Sequence, residues 1–90
     1  MNKDWQPALA ASALLRYDAV RQATVLLLPE RVFLLNGSAG TILRLCDGHR
    51  GVGEIARQIQ VTYGKTDPDA RRAASVIRFL ERMADLGCVQ

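Results

Sequence analysis

The chain has 90 residues, 49% of them hydrophobic, a formal net charge of +3 and two cysteines. That is enough for one domain with a thin core, and the composition excludes a disordered chain. The basic residues are spread along the sequence rather than gathered in a block, which by itself favours no partner class.

No segment approaches the roughly 20 apolar residues of a membrane span. The early run "ALAASALL", residues 8–15, is too short for a signal peptide and has Asp4 ahead of it. A cytoplasmic location with no membrane partner is therefore expected. Residues 1–13 are expected to be a flexible arm and 14–90 the folded domain; an arm that swaps between two copies would suit that composition.

In chain order, residues 14–17 predict a short first strand. Residues 24–28 and 31–35 predict two more, because their β-branched and aromatic runs flank a Pro29-Glu30 corner. Pro29 suits the first central position of a tight turn. The third strand is unusual. With a side-chain period of two, Val32 and Leu34 face one way and Phe33 and Leu35 the other, so both faces are apolar.

Three helices are predicted to follow. The first starts at Asn36 or Ser38, presents Ala39, Ile42, Leu43 and Cys46 on one face, and stops at Asp47-Gly48. The second carries Val52, Ile55, Ala56, Ile59 and Tyr63 and ends at Gly64, with Gly51 a poor cap where Ser or Thr would pair with Glu54. The third has Asp67 as N-cap, Pro68 at its first position and Asp69 near its positive end. Its buried stripe is expected to be Ala73, Val76, Ile77, Leu80, Met83 and Ala84, with Gly87 closing it. Strands followed by helices make an α+β fold, here a small winged-helix-like domain: an N-terminal three-stranded antiparallel sheet followed by three helices.

Catalysis has little support. His49 stands alone in an Asp-Gly-His-Arg-Gly turn, no Ser or Cys is marked as a nucleophile, and the seven glycines form no phosphate loop. Cys46 and Cys88 lie far apart with no second ligand at metal spacing, so two reduced, partly buried thiols are expected. No enzyme activity, cofactor or metal is expected.

Residues 26–55, "LLLPERVFLLNGSAGTILRLCDGHRGVGEI", followed by residues 79–89, "FLERMADLGCV", resemble the PqqD family of pyrroloquinoline quinone biosynthesis. The shared features are the Pro-Glu corner, Leu35-Asn36 leading into Ser38-Ala39, Ile42-Leu43 with Leu45-Cys46-Asp47-Gly48, and Val52-x-Glu54-Ile55. The similarity runs from about Leu14 to Val89; Gly51 and Gly53 depart from the family pattern. The resemblance implies a peptide chaperone without chemistry of its own, binding the precursor peptide PqqA and presenting it to the radical SAM enzyme PqqE. It further implies that the peptide adds as a strand to the third strand, in a groove closed by the third helix.

An exposed edge strand can accept another chain through its unpaired backbone groups, which gives the same expectation physically. The candidate peptide-binding residues are Arg31, Val32, Phe33, Leu34 and Leu35 on the strand and Arg72, Phe79 and Met83 on the third helix. Arg71, Ser75, Arg78 and Arg82 fall on one helical stripe, and the three arginines are candidates for electrostatic guidance of an acidic peptide. The plain alternative is a solvated face with Arg78 and Arg82 balanced by Glu81 and Asp85.

Two other readings compete. A winged helix-turn-helix regulator would use the third helix on DNA, but Asp67, Asp69, Glu81 and Asp85 cancel its arginines, so no nucleic acid is expected. A homodimer would use the same exposed edge as a peptide.

Overall fold

A computed structural model describes residues 4–90. Three antiparallel strands, β1 (Leu14–Asp18), β2 (Ala23–Leu27) and β3 (Val32–Leu35), form a sheet in the order β1-β2-β3. Three α-helices follow, α1 (Ala39–Arg44), α2 (Val52–Tyr63) and α3 (Ala73–Asp85), with a short 3-10 turn at Pro68–Arg71 ahead of α3. The α+β architecture is the one expected from the sequence.

The register pairs Leu27 with Val32, Leu26 with Phe33, Val25 with Leu34 and Thr24 with Leu35. Alternation then sorts the side chains. On the helix side Leu26 is fully buried and Leu15, Phe33 and Leu35 pack against the core. Val32 and Leu34 stand on the other side, 66% and 54% exposed, beside Leu27 and a buried Val25. The strand that is apolar on both faces therefore has cover on only one.

The helices close the core over Leu26 with Ile42 and Leu43 from α1, Ile55 and Ile59 from α2, and Val76 and Leu80 from α3. Full burial of each such side chain contributes roughly 1.5–3 kcal/mol. Helix α2 has the expected bounds, and Gly51 supplies no side-chain cap. Gly87, at φ 83°, lets the Cys88 amide bond back to the Met83 carbonyl at 2.8 Å, closing α3 as expected.

The third helix is shorter than the sequence indicates. Asp67 does act as a cap, its side chain accepting from the Asp69 amide, but it caps the 3-10 turn. Arg72 then adopts an extended conformation (φ −110°, ψ 122°) and α3 begins after it. Ala73 is consequently exposed instead of buried. The cause is tertiary: Ala70 is buried in the core, the Gln60 side chain donates to the Arg71 carbonyl, and Arg71 Nε donates to the Gly64 carbonyl at 2.6 Å.

The N-terminal segment also differs from a loose arm over its described part; Met1, Asn2 and Lys3 lie outside the described residues. Pro7 is fully buried. The Ala8 amide donates to the Gln90 carbonyl at 3.2 Å, the Leu9 amide to Cys46 at 3.2 Å, and the Ala10 amide to Cys88 at 2.9 Å. The Gln90 amide returns a bond to Ala8 at 2.7 Å. Trp5 completes the strap. Its indole Nε1 donates to the Gln90 carbonyl at 3.0 Å, and its own carbonyl accepts from the Val52 amide at 3.2 Å. The weak start of α2, left without a capping side chain at Gly51, thus finds a backbone partner.

Candidate functional site

The β2-β3 turn fixes which backbone groups of β3 are spoken for. Leu28 and Arg31 exchange both hydrogen bonds across Pro29-Glu30, at 2.8 and 3.4 Å. In an antiparallel ladder bonded pairs alternate with unbonded ones. With the observed register, Leu26–Phe33 and Thr24–Leu35 are the bonded pairs. The N–H and C=O of Val32 and Leu34 therefore point away from β2, to the open edge. No hydrogen bond among the described residues engages them from that side.

Beside this edge runs a cleft whose far wall is α3. Its narrower part, about 300 Å³, lies between Phe33 and Leu35 on the sheet side and Phe79, Arg82, Met83 and Leu86 on the helix side. It continues, past Ala39 and Asn36, into a wider part of about 430 Å³ bounded by Ser75, Arg78, Asp67 and Asp69. Arg31 sits at the narrow end. Its Nη2 donates to the Leu86 carbonyl at 3.4 Å, and its guanidinium carbon lies 5.8 Å from the centre of the Phe33 ring.

Of the residues singled out from the sequence, Phe33, Leu34, Leu35, Phe79 and Met83 come together around the cleft with Arg78 and Arg82. Val32 contributes the free backbone but faces the opposite side of the sheet, along the shallow outer surface formed with Val25, Leu27, Leu34 and Arg16. Arg71 and Arg72 do not line either part of the cleft. Arg71 is occupied at Gly64, and Arg72 is an exposed junction residue. The four-residue stripe expected along one helix is thus a pair of arginines and Ser75 on α3, with Arg71 outside it. Neither Arg78 nor Arg82 forms an ion pair among the described residues, so Glu81 and Asp85 do not neutralise them by direct contact.

The wide end is built by a latch that sequence reading assigned only to helix capping. Asp67 Oδ2 accepts from both the Ser38 hydroxyl at 2.9 Å and the Ser38 amide at 3.1 Å, joining the start of α1 to the turn before α3. Burial disfavours the carboxylate, but these bonds and the one from the Asp69 amide outweigh it and hold Asp67 below the usual carboxyl value. Gly37 makes room for the latch. At φ 59° it sits in the left-handed region, and a Cβ there would stand 2.7 Å from Asp67 Oδ2. The cap-type residues Asn36, Ser38 and Asp67 were visible in the sequence; their convergence across 29 positions was not.

Both thiols are buried and unpaired with each other. Burial, assisted by the neighbouring Asp47 carboxylate, pushes the Cys46 thiol up to about 12, and burial also raises Cys88. His49 lies in an exposed turn organised by Asp47, whose Oδ1 accepts from the His49 and Arg50 amides. No group of three His, Cys, Asp or Glu side chains among the described residues is placed to hold a metal. No helix among them is long and apolar enough to cross a membrane.

Comparison with known proteins gives a consistent picture. The family profile described as Coenzyme PQQ synthesis protein D (PqqD) matches residues 23–89. A PqqA binding protein of Rhodopseudomonas palustris (strain BisB5) is 42% identical over 82 residues, covering 91% of this chain and 78% of that protein. A bifunctional coenzyme PQQ synthesis protein C/D of Methylorubrum extorquens is 44% identical over 57 residues, covering 63% of this chain but 15% of that protein. Among solved structures, the PqqD truncation of Methylobacterium extorquens PqqCD matches with a TM-score of 0.72 and 37% identity over 93% of this chain and 87% of that one. That structure is described as a functional, stand-alone recognition element for ribosomally synthesized and post-translationally modified peptides.

Proposed function

The chain belongs to the PqqD family, and from that premise we propose that it binds the PqqA precursor peptide as a fourth strand on β3 and holds it for enzymatic modification. The observation that carries this reading is the coincidence of the unbonded Val32 and Leu34 backbone with a half-apolar cleft alongside. Backbone pairing supplies affinity, and side-chain pockets supply selectivity. Peptide side chains opposite Phe33 and Leu35 would enter the cleft against Phe79 and Met83. The alternate ones would lie on the outer surface beside Val32 and Leu34.

That division supports a presenting role. A loaded sheet would display every second peptide side chain on a face no helix covers, where the modifying enzyme PqqE would meet peptide and protein together. A second copy pairing along the same open edge of β3 would compete with the peptide. The protein supplies no catalytic group to the reaction in this reading.

Titrating isotopically labelled protein with synthetic PqqA tests it. Amide shifts concentrated at residues 31–36 and 75–86 are expected. Saturable binding of duplex DNA with no response to the peptide would instead favour the helix-turn-helix reading, which the acids Asp67 and Asp69 beside Arg78 oppose.

A further inference from the structure

The cleft beside β3 is electrically two-ended. Arg31 stands at its narrow end, Arg82 borders both parts, and the wide part carries Arg78 together with Asp67 and Asp69, so the acids are confined to one end. Asp67 is held ionised by the Ser38 latch, and Asp69 is exposed with no cation within ion-pair distance among the described residues. Arg78 and Arg82 are likewise exposed and unpaired. Four charged groups facing one cleft without mutual neutralisation form a field with a direction.

Resting on the peptide-binding reading above, we propose that the cleft selects a dipolar segment: a carboxylate against Arg82 and, toward the other end, an ammonium group against Asp69. Ser75 and Arg82 are separated by about 10 Å along α3, from a rise of ~1.5 Å per residue. An extended chain covers that in about three residues at ~3.3 Å each. Asp69 and Ser75 both line the wide part, so the two peptide charges stand at least about three residues apart.

The arrangement also sets the direction of the strand. β3 runs from the narrow end toward Asn36 at the wide end. The added strand pairs with it antiparallel, as the rest of the sheet does and as backbone geometry favours. Its N-terminal side then lies at Asp67 and Asp69, so the ammonium group, a lysine or the peptide's own α-amine, precedes the carboxylate.

The test uses three PqqA peptides: unmodified, with its amino groups acetylated, and with its Asp and Glu replaced by Asn and Gln. Against the full chain, each modification is expected to weaken binding about two- to five-fold, the range for partly exposed charge pairs. Asp69→Asn should erase the effect of acetylation and leave that of amidation; Arg82→Gln should do the reverse. A nitroxide on a cysteine added next to the peptide's N-terminus should broaden amides at 67–75 and spare those at 86–88. Tight binding of all three peptides with no such pairing, or broadening at the narrow end, overturns the dipolar reading while leaving peptide binding intact. Failure of unmodified PqqA to bind overturns both.

Discussion

Substituting proline at Leu34 and at Phe33 separates binding from folding, because the two neighbours turn their backbones in opposite directions. The Leu34 amide faces the open edge, so Leu34→Pro removes no bond to β2; proline is tolerated on strand edges for that reason. Phe33→Pro deletes the amide bonded to Leu26 and removes a ring packed against the core. The first change forfeits one hydrogen bond to an added strand, about 1 kcal/mol net. It also places the proline ring where the partner backbone must approach, so the neighbouring bond is lost and affinity falls about ten-fold or more. The second combines a broken ladder bond with the loss of a partly buried ring, together about 2–3 kcal/mol. Chemical denaturation and PqqA titration, run on both variants, provide the assay. Leu34→Pro should keep most of its stability and lose binding; Phe33→Pro should lose stability first. Unimpaired binding by a folded Leu34→Pro protein would refute the assignment of Val32 and Leu34 to the open edge.

Asp67→Ala should cost about 1–2 kcal/mol by breaking the Ser38 latch and the cap of the 3-10 turn. Because the Asp67 carboxyl is held below its ordinary value of 3.8, its contribution is present above that pH and disappears as pH falls through the lower folded value, so thermal melts of the variant should show a shallower acid loss than the parent. Thiol titration with an aromatic disulfide reagent at pH 8 should find both cysteines silent in the native protein and reactive once it is unfolded, since burial raises both thiols and Cys46 reaches about 12; prompt native reaction of Cys46 would contradict its placement. Trp5→Phe, which removes the indole bond to the Gln90 carbonyl, should lower the melting temperature and raise exchange at the Ala8 and Gln90 amides, whereas unchanged exchange would mean the indole does not hold the strap.

The two strands of the hairpin and the bounds of α2 were legible because each rests on a local rule: β-branched runs around a Pro-Glu corner, or apolar residues at helical spacing between glycines. The start of α3 departs from its local signal for a tertiary reason. Asp67-Pro68-Asp69 is a genuine cap signal, but the burial of Ala70 and the tertiary bonds to Arg71 end the first turn at Arg72 and restart the helix. Propensity carries no trace of those partners. The strap formed by Trp5 through Ala10 is invisible for a different cause, since backbone bonds between chain ends leave no periodic pattern. The open-edge assignment, in contrast, was available in advance. A two-residue turn at Pro29-Glu30 makes Leu28 and Arg31 a bonded pair, and counting outward from it exposes Val32 and Leu34.

The free edge alone is too small to account for a useful affinity. Val32 and Leu34 offer two donors and two acceptors, together about 4 kcal/mol at ~1 kcal/mol each. That corresponds to a Kd of about 1 mM, before the cost of ordering the peptide is subtracted. Any micromolar complex must draw several further kcal/mol from side chains, and the cleft offers two aromatic rings to provide them, Phe33 on the sheet and Phe79 on α3. Phe79 is half-buried, borders both parts of the cleft, and packs only at the margin of the core. Phe79→Ala should therefore reduce PqqA affinity at least as much as Leu34→Pro, about ten- to a hundred-fold, corresponding to ~1.5–3 kcal/mol of buried apolar contact. Circular dichroism would establish that the variant keeps its helices before titration. If a folded Phe79→Ala protein bound PqqA as tightly as the parent while Leu34→Pro did not, the missing free energy would have to come from outside the cleft, and α3 would not be the wall of the site.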